Sequence, residues 1–267
     1  MAARIGGSVL VTGSNRGIGL ELVRQLAEST SAPAQIFAAC RDLYGAQALK
    51  ELAQRHPQLL TIVRLDVADP VSISEASRVV GDKLIDGSLN LIINNAAING
   101  AAVNDRNNHP GTLAATGKKE MVDLFVTNAV GPMLIAKEFR SYLQKAADQL
   151  GPARTGMSCS RAAIINISTL LSSVKKCPET FSMAPMYPYR ASKAALNMLT
   201  CCLAEDFQRD GILVMAIHPG WVKTDMGGPH APVKTEDSAK GILHVMSTLT
   251  EKHNGSLLDW EGNSIPW

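Results

Sequence analysis

A tyrosine and a lysine four residues apart, Tyr189 and Lys193 in the segment YRASK, can do acid chemistry that neither does alone. On a helix this spacing puts both side chains on one face. An isolated tyrosine has a pKa near about 10, too high for ready proton exchange at neutral pH. An ammonium beside it favours the phenolate and lowers that pKa. The pair suits the proton donation that must accompany hydride transfer to a carbonyl. Tyr187 has no such helper, because Ala191 stands where its lysine would have to be. By itself YRASK reads equally as a piece of solvated helix, so its meaning depends on its companions.

The first companion is the turn TGSNRGIG at 12–19, between an apolar run and a segment of helical period. Gly13, Gly17 and Gly19 keep side chains away from where a phosphate and a packed helix must approach, with Ser14, Asn15, Arg16 and Ile18 between them. The N-terminus of the following helix offers free N–H groups and a positive dipole end to a pyrophosphate. Arg41 ends the second apolar run, and with Arg16 it brings a second guanidinium toward one ribose. Paired N–H donors suit a 2′-phosphate, which points to NADP(H) over NAD(H). Asp42 argues the other way, since a carboxylate there binds a 2′-hydroxyl. It loses that meaning if it pairs with an arginine or caps a turn.

The elements that must position these residues follow from periodicity. Strands are predicted at 8–12, 35–40, 61–65, 89–94, 162–168, 212–218 and 256–259. Several are apolar at successive positions, as in strands covered on both faces. Helices are predicted at 18–28, 43–55, 71–84, 118–149, 190–209 and 235–249. The alternation implies crossover units and a doubly wound, mostly parallel α/β sheet with helices on both faces. No linker divides residues 1–267, so a single domain is expected. Two stretches exceed what such units need, 98–117 and 169–188, and with 225–234 they are the expected substrate loops.

Composition narrows the function. A net charge of +2 gives no basic field for nucleic acid. The N-terminal apolar run is too short for a membrane span or signal peptide, which points to a cytoplasmic protein. Five cysteines form no metal-like spacing, and the Cys201–Cys202 pair reads as buried free thiols. The six histidines, including His218, make no H-x-x-x-H pair, so no metal is expected.

The ordered set TGSNRGIG, LDV (65–67), NNAA (94–97), Asn128, NIST (166–169), YRASK and PGWVKTDM (219–226) resembles the short-chain dehydrogenases/reductases over nearly the whole chain. The ACRD segment (39–42) and the tail GSLLDWEGNSIPW resemble the carbonyl-reductase-like subgroup named after C-factor and sniffer. The resemblance implies a Rossmann-type domain with about seven strands and NAD(P)(H)-dependent carbonyl/alcohol interconversion. It also implies that Asp66 and Val67 flank the adenine and that Asn94, Ala96 and Ala97 lie along the cofactor. Position 97 is more often glycine in that family. Pro219, Gly220, Val222 and Thr224 would cover the nicotinamide, and Tyr189 and Lys193 would be both catalytic and cofactor-binding.

By the same resemblance, a hydroxyl after Asn-Ile holds the substrate carbonyl. Thr169 stands in that position and Ser168 precedes it, and successive strand residues face opposite ways, so only one can point into the site. Thr169 is the expected one, with Ser168 the alternative. Asn128 would distort its helix and hold a water that relays protons to the lysine. Phe181, Met183, Met186, Tyr187, Trp221 and Met226 suit a small hydrophobic ketone, aldehyde or quinone. Two other readings stay open: an NAD-dependent dehydrogenase of a steroid or retinoid alcohol, and a cofactor-binding regulatory protein with incidental reductase activity. The helices at 118–149 and 190–209 carry apolar residues on more than one face, which the resemblance connects with a homodimer or homotetramer.

Overall fold

Strand β1 (Ser8–Thr12) is buried at every position, and its side chains divide between two cores. Val9 and Val11 join one, Leu10 the other, as the two-residue period of a strand requires. A computed structural model describes residues 5–100, 111–149 and 156–267. Residues 101–110 of the expected 98–117 loop, His109 among them, lie outside the described residues.

After β1 the chain alternates α1 (Gly17–Glu28), β2 (Gln35–Cys40), α2 (Gln47–Arg55), β3 (Leu60–Arg64), α3 (Pro70–Lys83) and β4 (Leu91–Asn94). Then come α4 (Lys118–Phe125), α5 (Gly131–Gln149), β5 (Ala163–Ile167), α6 (Cys177–Thr180), α7 (Tyr187–Phe207), β6 (Leu213–His218), α8 (Thr235–Thr248) and β7 (Leu257–Asp259). All neighbouring strands are parallel, in the order β3-β2-β1-β4-β5-β6-β7.

One face is covered by α1, α2 and α8 through Leu22, Leu26, Leu49, Leu52, Ile242 and Val245. The other is covered by α3, α5 and α7 through Ile73, Val80, Ile135, Phe139 and Phe207. Each of the larger side chains that is fully buried here stabilises the fold by about 1.5–3 kcal/mol. The strand order reverses between β1 and β4, and at such a switch point a crevice opens beyond the carboxyl ends of the strands.

Three boundaries differ from the sequence expectation. Helix α2 begins at Gln47 rather than 43, because Asp42 Oδ1 accepts from Tyr44 N at 2.8 Å and closes a turn first. Helix α7 starts early, at Tyr187 rather than 190, with Pro188 in its first turn, where a missing N–H costs nothing. The expected helix at 118–149 is interrupted by a π turn at Val126–Val130 centred on Asn128. The Cys201–Cys202 expectation also fails, since Cys202 is exposed and Cys201 only half-buried. Adjacent helix residues point about 100° apart, so both cannot face the core.

Candidate active site

A cleft of about 520 Å³ runs along the switch point from Arg41 and Asp42 at one end to Tyr189 and Lys193 at the other. Ligand pockets have volumes of about 300–1,000 Å³.

The first end is made largely of backbone. Gly13 and Gly17 take φ of +67° and +56°, and a Cβ on Gly19 would lie 2.3 Å from the Gly13 carbonyl oxygen. No other residue fits there without a shift. Arg16, the residue before α1, is extended, and no side chain caps the helix, so its first N–H groups face the cleft without a side-chain partner. The turn is tied to β4 by Asn95, whose Nδ2 donates to Thr12 O at 2.9 Å and Gly13 O at 3.2 Å. Thr12 Oγ1 in turn accepts from Asn95 N and Ala96 N, each at 3.0 Å.

Of the expected cofactor residues, Gly13, Asn15, Arg16, Gly17, Ile18, Arg41, Asp66, Val67, Ala96, Ala97, Tyr189, Lys193, Pro219 and Thr224 line the cleft. Five do not. Ser14 is buried and its Oγ donates to Val11 O at 2.6 Å, which holds the turn from within. Gly19 packs against Gly13 and Asn95. Asn94 lies beneath the cleft, where its Nδ2 donates to Asn166 Oδ1 at 2.9 Å, and Asn95 takes the cleft position instead. Gly220 (φ +85°) makes room for Trp260, and Val222 is buried in a bridge to Val233. Leu65, Ile98, Thr127, Ile167, Lys223 and Thr235 also line the cleft, and the sequence reading passed over them.

Arg16 pairs with Asp225 across the cleft mouth at 2.9 Å, both side chains largely exposed. Asp42 lines the cleft beside Arg41, and its Oδ1 accepts from Tyr44 N, closing the turn there.

The other end is made of side chains. The Thr169 hydroxyl lies near enough to Tyr189 to lower its pKa, while Ser168 Oγ donates to Asn197 Oδ1 at 2.6 Å. Of the two residues that follow β5, Ser168 borders the cleft with its hydroxyl committed to Asn197, and Thr169, which does not border it, is the one whose hydroxyl acts on Tyr189. Lys193 is buried and its Nζ donates to Ile167 O at 2.6 Å.

Burial raises the Tyr189 pKa to about 12, with the Thr169 bond pulling it down. Burial also lowers that of Lys193 to about 7. The sequence argument had the ammonium lowering the phenol. Here burial is the largest cause of both shifts.

Asn128 is fully buried. Its Oδ1 accepts from Ile98 N at 2.9 Å, and its Nδ2 donates to Ile98 O at 2.8 Å and Ser192 Oγ at 3.0 Å. The side chain therefore clamps the strand end after β4 onto α7, and the π turn accommodates that reach. His218 ends β6, its pKa pushed down to about 4 by burial against the opposing pull of Asp259. Of the expected apolar substrate residues, Met226 borders the cleft, while the exposed Phe181, Met183, Tyr187 and Trp221 and the half-buried Met186 do not line it. Phe181 and Tyr187 meet edge to face at 5.6 Å.

A family model described as short chain dehydrogenase matches residues 8–234. An NADPH-bound carbonyl reductase from chicken fatty liver is similar with a TM-score of 0.88 and 43% identity, over 100% of this chain and 95% of that one. The carbonyl reductase Sniffer of D. melanogaster has a TM-score of 0.86 and 35% identity, over 97% and 99% of the two chains. The C-signal of Myxococcus xanthus is 30% identical over 190 residues, 71% of this chain and 99% of that protein.

Proposed function

The chain belongs to the short chain dehydrogenase family, and from that premise we propose that it is an NADPH-dependent reductase of small hydrophobic aldehydes, ketones or quinones. The observation that carries this reading is the placement of Tyr189 and Lys193, four residues apart on α7, at the far end of a cleft that starts at a glycine turn.

The residues fit the cofactor. Gly13, Gly17 and Gly19 with the open start of α1 suit its pyrophosphate, and Arg16 and Arg41 suit a 2′-phosphate. The chicken liver enzyme, similar over the whole chain, is described as NADPH-bound. When bound, NADPH supplies hydride to the carbonyl carbon. Tyr189 gives its proton to the oxygen, so that the product is the alcohol, and Thr169 holds that oxygen by donating its hydroxyl proton. Lys193 holds the ribose end and recharges the site from its buried position.

Met121, Val122 and Phe125 of α4 and Met198 of α7 are exposed, which supports pairing of these helices in a homodimer.

Tyr189→Phe tests the assignment. NADPH binding is expected to stay within about twofold, with turnover of quinones and α-dicarbonyls falling by about 10²–10⁴-fold. Turnover at the wild-type rate would remove Tyr189 as the acid. A clear preference for NADH would remove the role given to Arg16 and Arg41.

A further inference from the structure

The second residue of YRASK has no part in the chemistry above, yet Arg190 is among the least exposed charged side chains, at 8%. Four of the five N–H donors of its guanidinium are spent on the stretch between Thr169 and α7. Nε donates to Ala184 O at 2.7 Å, and Nη1 to Leu171 O at 3.2 Å and Thr180 Oγ1 at 3.1 Å. Nη2 donates to Thr180 O at 2.8 Å, and the group lies 5.8 Å from the Phe181 ring centroid. The acceptors are carbonyl and hydroxyl oxygens spread along fourteen residues of loop. A planar fork with five N–H donors on three nitrogens can reach acceptors spread this widely, and a lysine, with three donors on one nitrogen, cannot reach them all. Arg190 is therefore not free to meet an anionic substrate, a possibility that the sequence leaves open.

The bonds also form a circuit. Leu171, held through its carbonyl by Arg190, donates its N–H to Thr169 Oγ1 at 3.2 Å. The Thr169 hydroxyl in turn acts on Tyr189, the residue before Arg190. The loop re-enters the helix through Met186, whose φ of +27° makes it the non-glycine residue with positive φ among those described. Such strain persists only where the surroundings over-determine it. Here Tyr187 N donates to Gly111 O at 2.7 Å on one side of the strained residue, and the Arg190 cluster holds the loop on the other.

We propose that Arg190 is a positioning residue for the catalytic hydroxyls: it serves as the polar core of the 170–186 loop and, through Leu171, fixes Thr169 against Tyr189. Its side chain points away from the cleft and touches neither substrate nor cofactor. It acts by preventing the loop from carrying Thr169 off the line of the acid. The outer side of the loop is held separately by the tail, where Ser173 Oγ donates to Pro266 O, and Lys175 N donates to Trp267 O at 3.1 Å. Arg190 is thus the inner of two anchors, and it is the one connected to the reacting groups.

The assignment rests on the reductase reading, so its test includes a readout that does not need turnover. In Arg190→Lys, amide hydrogen exchange across 170–186 is expected to rise by about tenfold or more, while the β1–α1 turn keeps its rate. NADPH binding should stay within about twofold. kcat for a quinone should fall by about a hundredfold, the scale of an ångström-sized misplacement, with a smaller change in KM. Because Arg190 works through Thr169, Arg190→Lys in a Thr169→Val background should cost far less than it does alone. Losses that multiply independently, or loop exchange at the wild-type rate, would overturn the proposal. If Arg190→Lys does not fold, Thr180→Val removes one acceptor and should loosen the same segment by a smaller factor, and unchanged exchange there overturns it equally. A wild-type protein that reduces no carbonyl would sink the reductase reading, and loop exchange would then decide the anchoring by itself.

Discussion

The two ends of the cleft are built on different principles. At the cofactor end the chain presents backbone, with glycines that admit a close approach and an uncapped helix start, all within eight residues of sequence. At the other end, the proposed carbonyl end, it presents side chains that meet only after long excursions: Asn128 with Ile98 and Ser192, Ser168 with Asn197, and Lys193 with Ile167. A turn of glycines tolerates little substitution but needs little help. The carbonyl end depends on buried polar bonds, each of which must find its partner, because a buried group left unpaired costs about 1–3 kcal/mol. One end is fixed by local chemistry and the other by the packing of α7 against β5 and the loop between them.

The sharpest way to break this contrast is to treat two neighbouring hydroxyls as equivalent. Thr169→Val is expected to lower kcat about a hundredfold, the scale of losing one oxyanion donor, with NADPH binding retained. Ser168→Ala is expected to change kcat by less than about threefold. It should instead lower stability by about 1–3 kcal/mol in urea unfolding, because Asn197 Oδ1 loses the buried donor it now has at 2.6 Å. If Ser168→Ala abolishes turnover and Thr169→Val does not, the roles of the two residues are reversed.

The same contrast governs what the sequence reveals. The glycine turn, the seven strands and the Tyr–Lys spacing depend on neighbours within a few residues, and periodicity was enough to read them. Asn94 and Asn95 look interchangeable in NNAA, and only the β4–β5 register, which pairs Asn94 with Asn166, sends one down and leaves the other on the cleft. The choice between Ser168 and Thr169 likewise needed the direction of the last residues of β5. The π turn was legible only as an asparagine out of place in a helix. Arg190 had one faint signal, a charge on what became a buried face of α7, and nothing local could show that its partners lie six to nineteen residues upstream.

A second test reads the buried charge of the carbonyl end through stability. The Lys193 pKa falls on folding from 10.5 to about 7. Between those values the unfolded chain holds more protons than the folded one, so stability rises with pH across that window. Tyr189 acts in the opposite sense at higher pH. Its pKa rises from 10 to about 12, so the folded chain holds the extra proton and stability is lost above pH 10. Urea unfolding from pH 7 to 9.5 should therefore show a rising midpoint, and Lys193→Met should flatten that rise. An unchanged slope in the variant would mean that the ammonium is not buried in solution as it is here.

The smallest effect belongs to the cofactor end, where charges are exposed and bonds are worth little. Arg16 and Asp225 pair at 2.9 Å with side chains 73% and 79% exposed, and such pairs contribute about 0–1 kcal/mol. On the proposed reading, a 2′-phosphate must win the Arg16 guanidinium from that carboxylate. Asp225→Asn removes the competitor and a like charge at the mouth, so NADPH should bind a few-fold more tightly, about fivefold at most. NADH, which lacks the phosphate, should be unaffected. The gain should also shrink as salt is raised, since exposed charges are screened within about 10 Å at 0.1 M. Titration of both cofactors by nicotinamide fluorescence at two ionic strengths separates the possibilities. Weaker NADPH binding in Asp225→Asn would mean that the 221–233 segment is held to the glycine turn by this pair, and that the cofactor end also depends on a long-range side-chain bond.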